Sequence, residues 1–355
     1  MKWLHRMLML LGASGFVLLV ARSDLASLGR DATALGTGAA LVVAVALLEH
    51  LLHALAWQRC FAPEQRPGAF SLLGAYLAGG AINLVTPTAT LGGEVVRGGL
   101  LPHSVPARVW VATGTADRLA MAVADTSIGL AGFAVLLTRG PQGEIARAAL
   151  AAAALLLAAG VAGFLMLQRR GRLAAFIGEH GLVRRLAGAQ LGERLASASR
   201  AVDGQLAALH AERPGDFHAA IALHLAGACV GALQLAIFLS WLGVPYDLAT
   251  LGSVFAVGMA LDLFSFFVPA RLGAQEAARM LAMGVGGIDP SRGLLFSLVL
   301  RLEQILWAGA GLLAVPFLLR ARRGSPPLAS ADPPVDPSRA AGAGVELPLD
   351  GERAC

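Results

Sequence analysis

The amino-acid sequence predicts an all-α, polytopic integral membrane protein, and three observations support this fold class. Of the 355 residues, 56% are hydrophobic and only 14% are charged, whereas about 25% of the residues of a soluble domain are charged. The apolar runs have the length of about 20 residues that an α-helix needs to cross a bilayer. They also lack the alternation of apolar and polar residues that is typical of a membrane β-barrel. The protein is therefore expected to act within or across a lipid bilayer.

Apolar runs of spanning length alternate with interrupted ones. Six runs are predicted to cross the membrane as single helices, at about 7–23, 33–57, 111–137, 146–167, 216–242 and 293–319. Two more regions, 70–101 and 249–285, are broken midway by proline and glycine. Proline removes an amide donor and disfavours helix at the residue before it. Each interrupted region is therefore predicted to form a re-entrant hairpin of two helical arms.

The charged and low-complexity parts of the chain lie outside these regions. Residues 168–215 are rich in arginine at helical spacing, which predicts an amphipathic helical linker that lies on the cytoplasmic membrane surface or caps the bundle. Residues 324–355 are rich in Pro, Ala, Gly and Ser, which predicts a disordered tail. The predicted transmembrane domain therefore covers residues 1–323, with the linker inside it.

The positions of the arginines predict the orientation of the chain. The net charge of +5 arises from residues in the loops between spans, a distribution that is typical of cytoplasmic loops rather than of nucleic-acid binding. Both termini are therefore predicted to be cytoplasmic, in a bacterial inner membrane. With this orientation the first hairpin enters from the cytoplasm and the second from the opposite face, so that residues 102–108 and 286–292 lie on opposite sides.

The two hairpin regions share an internal repeat. In both regions the glutamate follows the proline by seven residues and the arginine follows the glutamate by three, and the next span carries an Arg-Leu pair. The copies are Pro87, Glu94, Arg97 and Arg118, and Pro269, Glu276, Arg279 and Arg301. Segments broken by Gly or Pro at corresponding positions of inverted halves indicate a binding site near the bilayer midplane. Irregular backbone at that depth needs protein or water around it, so we expect the breaks to meet inside the protein.

Charged and polar residues near the breaks form a predicted binding site for the headgroup of an anionic or carrier lipid. A charge at the centre of a membrane helix costs about 2.5–3.5 kcal/mol on insertion scales. The second arm of each hairpin begins at the break, where free amides and a positive dipole end suit a phosphate, and arginine binds phosphate through two N–H groups. The predicted lipid-binding residues are Asn83, Thr88, Thr90, Glu94, Arg97, Arg118, Arg271, Glu276, Arg279 and Arg301.

Internal pairing of these charges is the alternative that the sequence leaves open. Glu94 and Arg97 are three residues apart, as are Glu276 and Arg279, and this spacing places both members of a pair on one helix face. Each pair could then serve only to neutralise its own charges.

The sequence contains no recognisable motif for catalysis, metal binding or cofactor binding. The order Glu49-His50-Leu51-Leu52-His53 matches no zinc-protease signature, so no metal site is predicted. His224, on an apolar span, is expected to be a packing histidine with satisfied hydrogen bonds. No nucleotide-binding motif or nucleophile–base pair occurs, so no cofactor and no catalytic residue are predicted.

The motifs at the two breaks resemble those of the flippase-like transmembrane domain of lysylphosphatidylglycerol synthases, a family whose stand-alone relatives include hopanoid-biosynthesis-associated membrane proteins. The residues that carry the resemblance are Asn83, Pro87, Leu91-Gly92-Gly93-Glu94-Val95-Val96-Arg97, Pro269, Leu272-Gly273-Ala274-Gln275-Glu276-Ala277 and Arg301. The resemblance covers about residues 1–323 and implies lipid translocation or lipid-carrier handling, here without the soluble synthase domain. The chain departs from the family's Pro-Gly-Gly-Leu-Gly pattern at Arg271, and this additional arginine is expected to favour a more anionic headgroup.

The resemblance and the site together predict an inner-membrane lipid flippase or transporter-like protein. Its expected partner is a membrane lipid, which would be a phospholipid, a polyprenyl phosphate or a hopanoid, and lipid-biosynthesis enzymes are candidate protein partners. Two alternatives stay open. One is a membrane-embedded transferase with Glu94 or Glu276 as acid or base, which the lack of a metal-binding Asp cluster makes the less favoured. The other is a non-catalytic assembly factor of a lipid pathway.

Overall fold

The computed structural model describes residues 2–85, 91–139, 143–172, 189–265 and 271–324, and within these ranges the chain is helical and contains no strand. This confirms the predicted all-α class. A 3-10 turn at Pro63–Gln65 lies between the third and fourth α-helices. The α-helices of the described ranges are α1 (Lys2–Arg22), α2 (Leu25–Leu35), α3 (Thr37–Cys60), α4 (Ala69–Val85), α5 (Leu91–Gly99), α6 (Ala107–Arg139), α7 (Glu144–Arg169), α8 (Ala189–Glu212), α9 (Pro214–Trp241), α10 (Leu248–Ser265), α11 (Ala274–Val285) and α12 (Pro290–Gly324).

Five helices of the described part of the chain are long and apolar enough to cross a membrane, and they correspond to five of the six predicted spans. The sixth predicted span, 7–23, lies in α1, within which Ala13–Arg22 is a shorter apolar helix. Two other short apolar helices, Ala69–Leu84 and Leu248–Leu263, are the first arms of the predicted hairpins. The five long helices are Thr37–Cys60, Ala107–Arg139, Arg147–Arg169, Pro214–Trp241 and Pro290–Arg323.

Both interrupted regions form two helices with a break between them, as predicted. The first arm α4 packs against α5, and the first arm α10 packs against α11. Residues 86–90 and 266–270, which include Pro87 and Pro269, lie outside the described residues. The second break ends in a turn that contains two residues with positive φ, Arg271 at +52° and Gly273 at +78°.

The contacts between helices repeat reciprocally across the two halves of the bundle. Helix α4 packs against α12, the span that follows the second hairpin, and α10 packs against α6, the span that follows the first. The helices that precede the two hairpin units, α3 and α9, pack against each other. Two structural repeats related by a two-fold axis make reciprocal contacts of this kind. The sequence repeat therefore has a counterpart in the fold.

Small residues and polar side chains hold the central helices together. Gly227 of α9 lies against the His53 ring of α3, and Gly132 of α6 lies against the backbone of Ala256 in α10. The Gln234 side chain donates a hydrogen bond to the carbonyl of Val42 at 2.9 Å. Small residues that allow close approach, together with polar side chains that bond across helices, are typical of packing inside a membrane.

The described part of the predicted linker packs on the bundle. Helix α8 contacts α6, α7 and α9, and it buries Val202, Leu206 and Leu209 in a core cluster with these helices. Because α8 buries apolar residues on one face, it caps this part of the bundle, and its cytoplasmic location stays a prediction. Residues 173–188 of the linker and the predicted tail after residue 324 lie outside the described residues.

Candidate functional site

A cavity of about 250 Å³ lies between the two repeats. Residues of α3, α6, α9, α10, α11 and α12 and of the turn before α11 form its wall, and no described residue of α4 or α5 does so. The cavity is therefore associated with the second hairpin rather than with both. Its polar and charged lining residues are Glu49, His53, Asp125, Gln234, Asp262, Arg271, Gln275, Arg279, Glu303 and Gln304.

Arg279 lies on the cavity wall and is held from the first arm of its own hairpin. Its Nη2 donates to Asp262 Oδ2 at 3.2 Å, and its Nη1 donates to the backbone carbonyl of Gln275 at 3.4 Å. Both side chains of the Arg279–Asp262 pair keep partial exposure, 15% and 20%. The alternative in which Arg279 pairs with Glu276 does not occur here, because Glu276 bonds to Arg301 of α12 instead.

Arg301 ties the turn of the second hairpin to α12. Its Nε donates to Glu276 Oε1 at 2.9 Å, and its Nη2 donates to the backbone carbonyl of Arg271 at 3.0 Å. Glu276 is completely buried. Because Arg301 bonds to both one oxygen of this carboxylate and the turn carbonyl, it fixes the backbone that presents Arg271.

Arg271 has an unusual backbone conformation. Among the described residues it is the one non-glycine residue with positive φ, +52°. This left-handed region costs a side-chain-bearing residue roughly 1–2 kcal/mol, and glycine occupies it at no steric cost. The Arg271 side chain is exposed and contributes to the cavity wall. An arginine thus stands where the backbone favours glycine, and strain of this kind is commonly kept at functional positions.

The arginine of the first hairpin has a different environment. Arg97 is only 1% exposed. Its Nη1 donates to Glu94 Oε1 at 3.1 Å, and its Nη2 donates to Asp117 Oδ2 at 3.2 Å. The guanidinium carbon also lies 4.2 Å from the centre of the Trp57 ring and 4.7 Å from that of Tyr76. The Glu94–Arg97 pair, which the sequence leaves open as an alternative to lipid binding, is present, and it is part of an enclosed cluster with Asp117.

One ion pair occurs in both repeats. Arg118 Nε donates to Glu94 Oε1 at 2.9 Å, and Arg301 Nε donates to Glu276 Oε1 at the same distance of 2.9 Å. In both cases the glutamate lies on the second arm of a hairpin and the arginine lies on the span that follows. The matched spacings of the sequence repeat therefore correspond to the same contact in space.

Asn83 braces the two arms of the first hairpin. Its Oδ1 accepts a hydrogen bond from the backbone N–H of Gly93 at 2.8 Å. The backbones of Gly79 and Gly93 approach so closely that a side chain on either glycine would meet the other arm. Asn83 therefore stabilises the hairpin from inside, away from the cavity.

The structure divides the predicted lipid-binding residues into three groups. Arg271 and Arg279 line the cavity. Thr88 and Thr90 lie outside the described residues. The remaining residues contact other protein groups near one hairpin or the other: Asn83, Glu94, Arg97, Arg118, Glu276 and Arg301.

The predicted lipid-binding set does not include the acidic wall of the cavity, which Glu49, Asp125, Asp262 and Glu303 line. The rarity of ionisable side chains within apolar spans marks Asp125, Asp262 and Glu303 as candidates in the sequence, but the expectation of an anionic headgroup favoured the arginines over them. What the sequence did not show is which of these charges share a cavity.

The fold and the site define a membrane protein with two hairpin repeats and a polar cavity that is lined by the second hairpin and the neighbouring spans. The family model "Lysylphosphatidylglycerol synthase TM region" matches residues 7–311. The chain therefore belongs to this family, as its hairpin motifs predicted. No curated protein and no solved structure matches the chain. Membership of the family suggests a membrane protein whose function concerns lipids.

Proposed function

We propose that this protein is a flippase-like lipid transporter that binds the headgroup of an anionic lipid in the cavity between its repeats. The observation that carries the proposal is Arg271, an arginine at a position with φ of +52° on the cavity wall. A strained side chain persists when the surrounding structure imposes it, and such positions cluster at ligand-binding sites. Together with Arg279, Arg271 supplies two guanidinium groups for one phosphate.

The other polar groups of the cavity suit the remainder of a headgroup. The carboxylates of Asp125 and Glu303 and the amide of Gln304 also line the wall, and they supply acceptors for hydroxyl or ammonium groups. A cavity of about 250 Å³ is close in size to the smaller ligand pockets of proteins, which begin at about 300 Å³. The site therefore accommodates a headgroup while the acyl or isoprenoid chains stay in the lipid.

The family name indicates which lipids should be tested first. Its name refers to a synthase of lysylphosphatidylglycerol, so phosphatidylglycerol is the first probe, followed by a polyprenyl phosphate and a hopanoid. Because no nucleotide-binding motif occurs in the sequence, movement of the lipid is proposed to be passive or coupled to an ion.

The test uses purified protein in vesicles that contain fluorescent phosphatidylglycerol. Dithionite added outside bleaches only the outer leaflet, so exchange between leaflets gives additional bleaching. The Arg271→Gly variant removes the guanidinium at a position where glycine is preferred, and a lost charge-assisted hydrogen bond of about 1.5–3 kcal/mol lowers affinity about ten- to a hundredfold. We expect slower exchange at unchanged or higher thermal stability.

The matched control is Arg292→Gln, because Arg292 is also ion-paired, to Asp31 at 3.3 Å, but does not line the cavity. It should exchange lipid at the wild-type rate. If the wild-type protein causes no additional bleaching, it does not move the lipid between leaflets, and the proposal is wrong. A change in the mass of the lipid would favour the transferase, and binding of a biosynthetic enzyme without lipid movement would favour the assembly factor.

We further propose that both termini face the cytoplasm and that the two repeats have opposite orientations in the bacterial inner membrane. The arginine asymmetry of the loops supports this arrangement, and so do the reciprocal contacts of α4 with α12 and of α10 with α6. Single cysteines at Ser104 and Ser291, in a chain freed of its native cysteines, should be labelled from opposite sides. Labelling of both from one side contradicts the inverted arrangement.

A further inference from the structure

A chain of four ionisable side chains leads from the cavity wall into the interior. Glu49 and His53 line the cavity, and His53 Nε2 lies 3.5 Å from Glu49 Oε1. His53 Nδ1 lies 2.7 Å from His224 Nδ1, and His224 Nε2 lies 3.1 Å from Asp117 Oδ1. Both His224 and Asp117 are completely buried. One end of the chain therefore reaches the cavity, and the other end joins the enclosed cluster around Arg97.

The number of protons that the contacts among these four side chains require exceeds the number that two neutral histidines supply. The two contacts of His224 are hydrogen bonds and need one proton each, and the 3.5 Å contact between His53 Nε2 and Glu49 Oε1 is an ion pair only when His53 is protonated. Two neutral imidazoles supply one N–H each: His224 donates to Asp117, and His53 donates through Nδ1 to His224. The contact between His53 Nε2 and Glu49 is then left with two acceptors facing each other. One further proton, on either of these two groups, satisfies the whole chain.

We propose that the chain Glu49–His53–His224–Asp117 is a proton-binding site that opens on the cavity, and that proton binding and headgroup binding favour each other. The proton enters from the cavity and rests between Glu49 and His53 Nε2. No covalent bond to carbon forms or breaks in this step, since a solvent proton is bound and later released. The coupling, but not the proton site itself, rests on the proposed lipid-binding function.

The groups around the two histidines favour this position for the proton. Asp125 lies close enough to interact electrostatically with both His53 and Glu49, and the Tyr76 ring stacks on the His53 ring at 5.9 Å. A Cβ atom at Gly227 would lie 2.9 Å from His53 Cε1, so glycine is needed for the ring to fit. The titratable groups that contact the histidines or interact with them electrostatically are Glu49 from α3, Tyr76 from α4, and Asp117 and Asp125 from α6. The charged and titratable groups next to these residues are Arg97 from α5 and Arg118 from α6, and His50 from α3, which pairs with Glu303 from α12.

The direction of the coupling follows from charge. A phosphate bound at Arg271 and Arg279 brings negative charge into a cavity whose wall already carries Glu49, Asp125, Asp262 and Glu303. A proton on Glu49 or His53 reduces the repulsion between the phosphate and these carboxylates, so the bound lipid favours the protonated form of the four linked side chains. By linkage the proton favours the bound lipid equally. Uptake of one proton would make the affinity rise up to about tenfold for each unit by which the pH falls.

The experiment measures proton uptake when short-chain phosphatidylglycerol binds to the purified full-length protein. Calorimetry in buffers with different ionisation enthalpies gives the number of protons taken up. In Glu49→Gln the new amide N–H donates permanently to His53 Nε2, so this variant should bind the lipid, lose the uptake and show an affinity independent of pH. The matched control is Asp31→Asn, which removes a carboxylate that pairs with Arg292 at 3.3 Å outside the cavity and should keep the uptake.

A second measurement without lipid separates the proton site from the proposed function. Infrared difference spectra between acidic and neutral pH should show protonation bands of the chain, and Glu49→Gln should remove the carboxyl band. Absence of these bands, or unchanged proton uptake by Glu49→Gln, overturns the proton site. If the bands appear and the wild type binds no phosphatidylglycerol, the proton site stands while the proposed function and the coupling fail. If lipid binds without proton uptake, the coupling alone is wrong.

Discussion

The two hairpins carry the same motif in different surroundings, and the difference lies in where one carboxylate is placed. In the first repeat Asp117 on α6 draws Arg97 away from the cavity, and the corresponding residue of the second repeat is Leu300. In the second repeat Asp262 on α10 holds Arg279 at the cavity wall. Asp262 lies seven residues before Pro269, and the residue seven positions before Pro87 in the first repeat is Gly80. An identical Pro–Glu–Arg spacing thus gives an enclosed arginine in one repeat and a cavity-lining one in the other.

This comparison indicates that the first hairpin stabilises the fold and the second binds the ligand. The Arg97 guanidinium has two carboxylates and two aromatic rings around it and is almost completely buried. Removing one partner of a buried pair leaves an uncompensated charge. The partly exposed Arg279 has one carboxylate partner, and its guanidinium can therefore be shared with a phosphate.

The largest expected effect is the loss of stability on replacement of Arg97 by glutamine. Breaking a buried ion pair costs about 3–5 kcal/mol, and here both Glu94 and Asp117 lose a partner. The midpoint of thermal unfolding in detergent measures the loss, and Arg279→Gln is the matched variant. An equal midpoint for the two variants would remove the distinction between the hairpins.

The next effect tests how closely the arms of each hairpin pack. A Cβ atom added at Gly93 would meet the backbone carbonyl of Gly79 and the Asn83 side chain, and overpacking of this kind costs about 1–3 kcal/mol. Gln275 stands at the corresponding position of the second hairpin and already carries a side chain. Gly93→Ala should therefore unfold at a lower temperature than Gln275→Ala, and the reverse order would show that the first hairpin is not the tighter one.

The sequence predicted much of the fold because its signals are local. Apolar length located the spans, and the prolines located the two points at which each interrupted region divides into a pair of helices, α4 with α5 and α10 with α11. The motif spacing placed these charged residues near the two breaks, but it did not predict that Glu94 pairs with Arg118 or that Glu276 pairs with Arg301. It could not show that Arg97 faces Asp117, because that contact depends on the rotation of α5 against α6.

Removing the carboxylate partner of Arg279 in the second hairpin should strengthen lipid binding rather than weaken it. In Asp262→Asn, Arg279 loses its carboxylate partner at 3.2 Å and becomes available to a phosphate. Because partly exposed pairs contribute about 0.2–1 kcal/mol, stability should change little while affinity for phosphatidylglycerol vesicles rises. Weaker binding by this variant, at unchanged stability, would mean that Asp262 itself contacts the lipid.

The smallest effect lies outside both hairpins, on α8. Burial lowers the pKa of His210, and the positive charges of Arg169 and His218 lower it further. Since the pKa in the folded protein is below that of the unfolded chain, about 6.5, the contribution of neutral His210 to stability is present above that pH and is lost as the pH falls. Hydrogen exchange in α8 should therefore quicken on acidification, and His210→Gln should exchange at rates less dependent on pH. Equal pH dependence in both proteins would contradict this.

The most direct test of the division between the hairpins is phosphatidylglycerol binding by the folded fractions of Arg97→Gln and Arg279→Gln, each isolated by size-exclusion chromatography. The loss of a charge-assisted hydrogen bond predicts an affinity about ten- to a hundredfold lower for Arg279→Gln, at a nearly unchanged unfolding temperature. Folded Arg97→Gln, although less stable, should bind with the wild-type affinity. Loss of binding by Arg97→Gln together with normal binding by Arg279→Gln would contradict the assignment of the lipid site to the second hairpin.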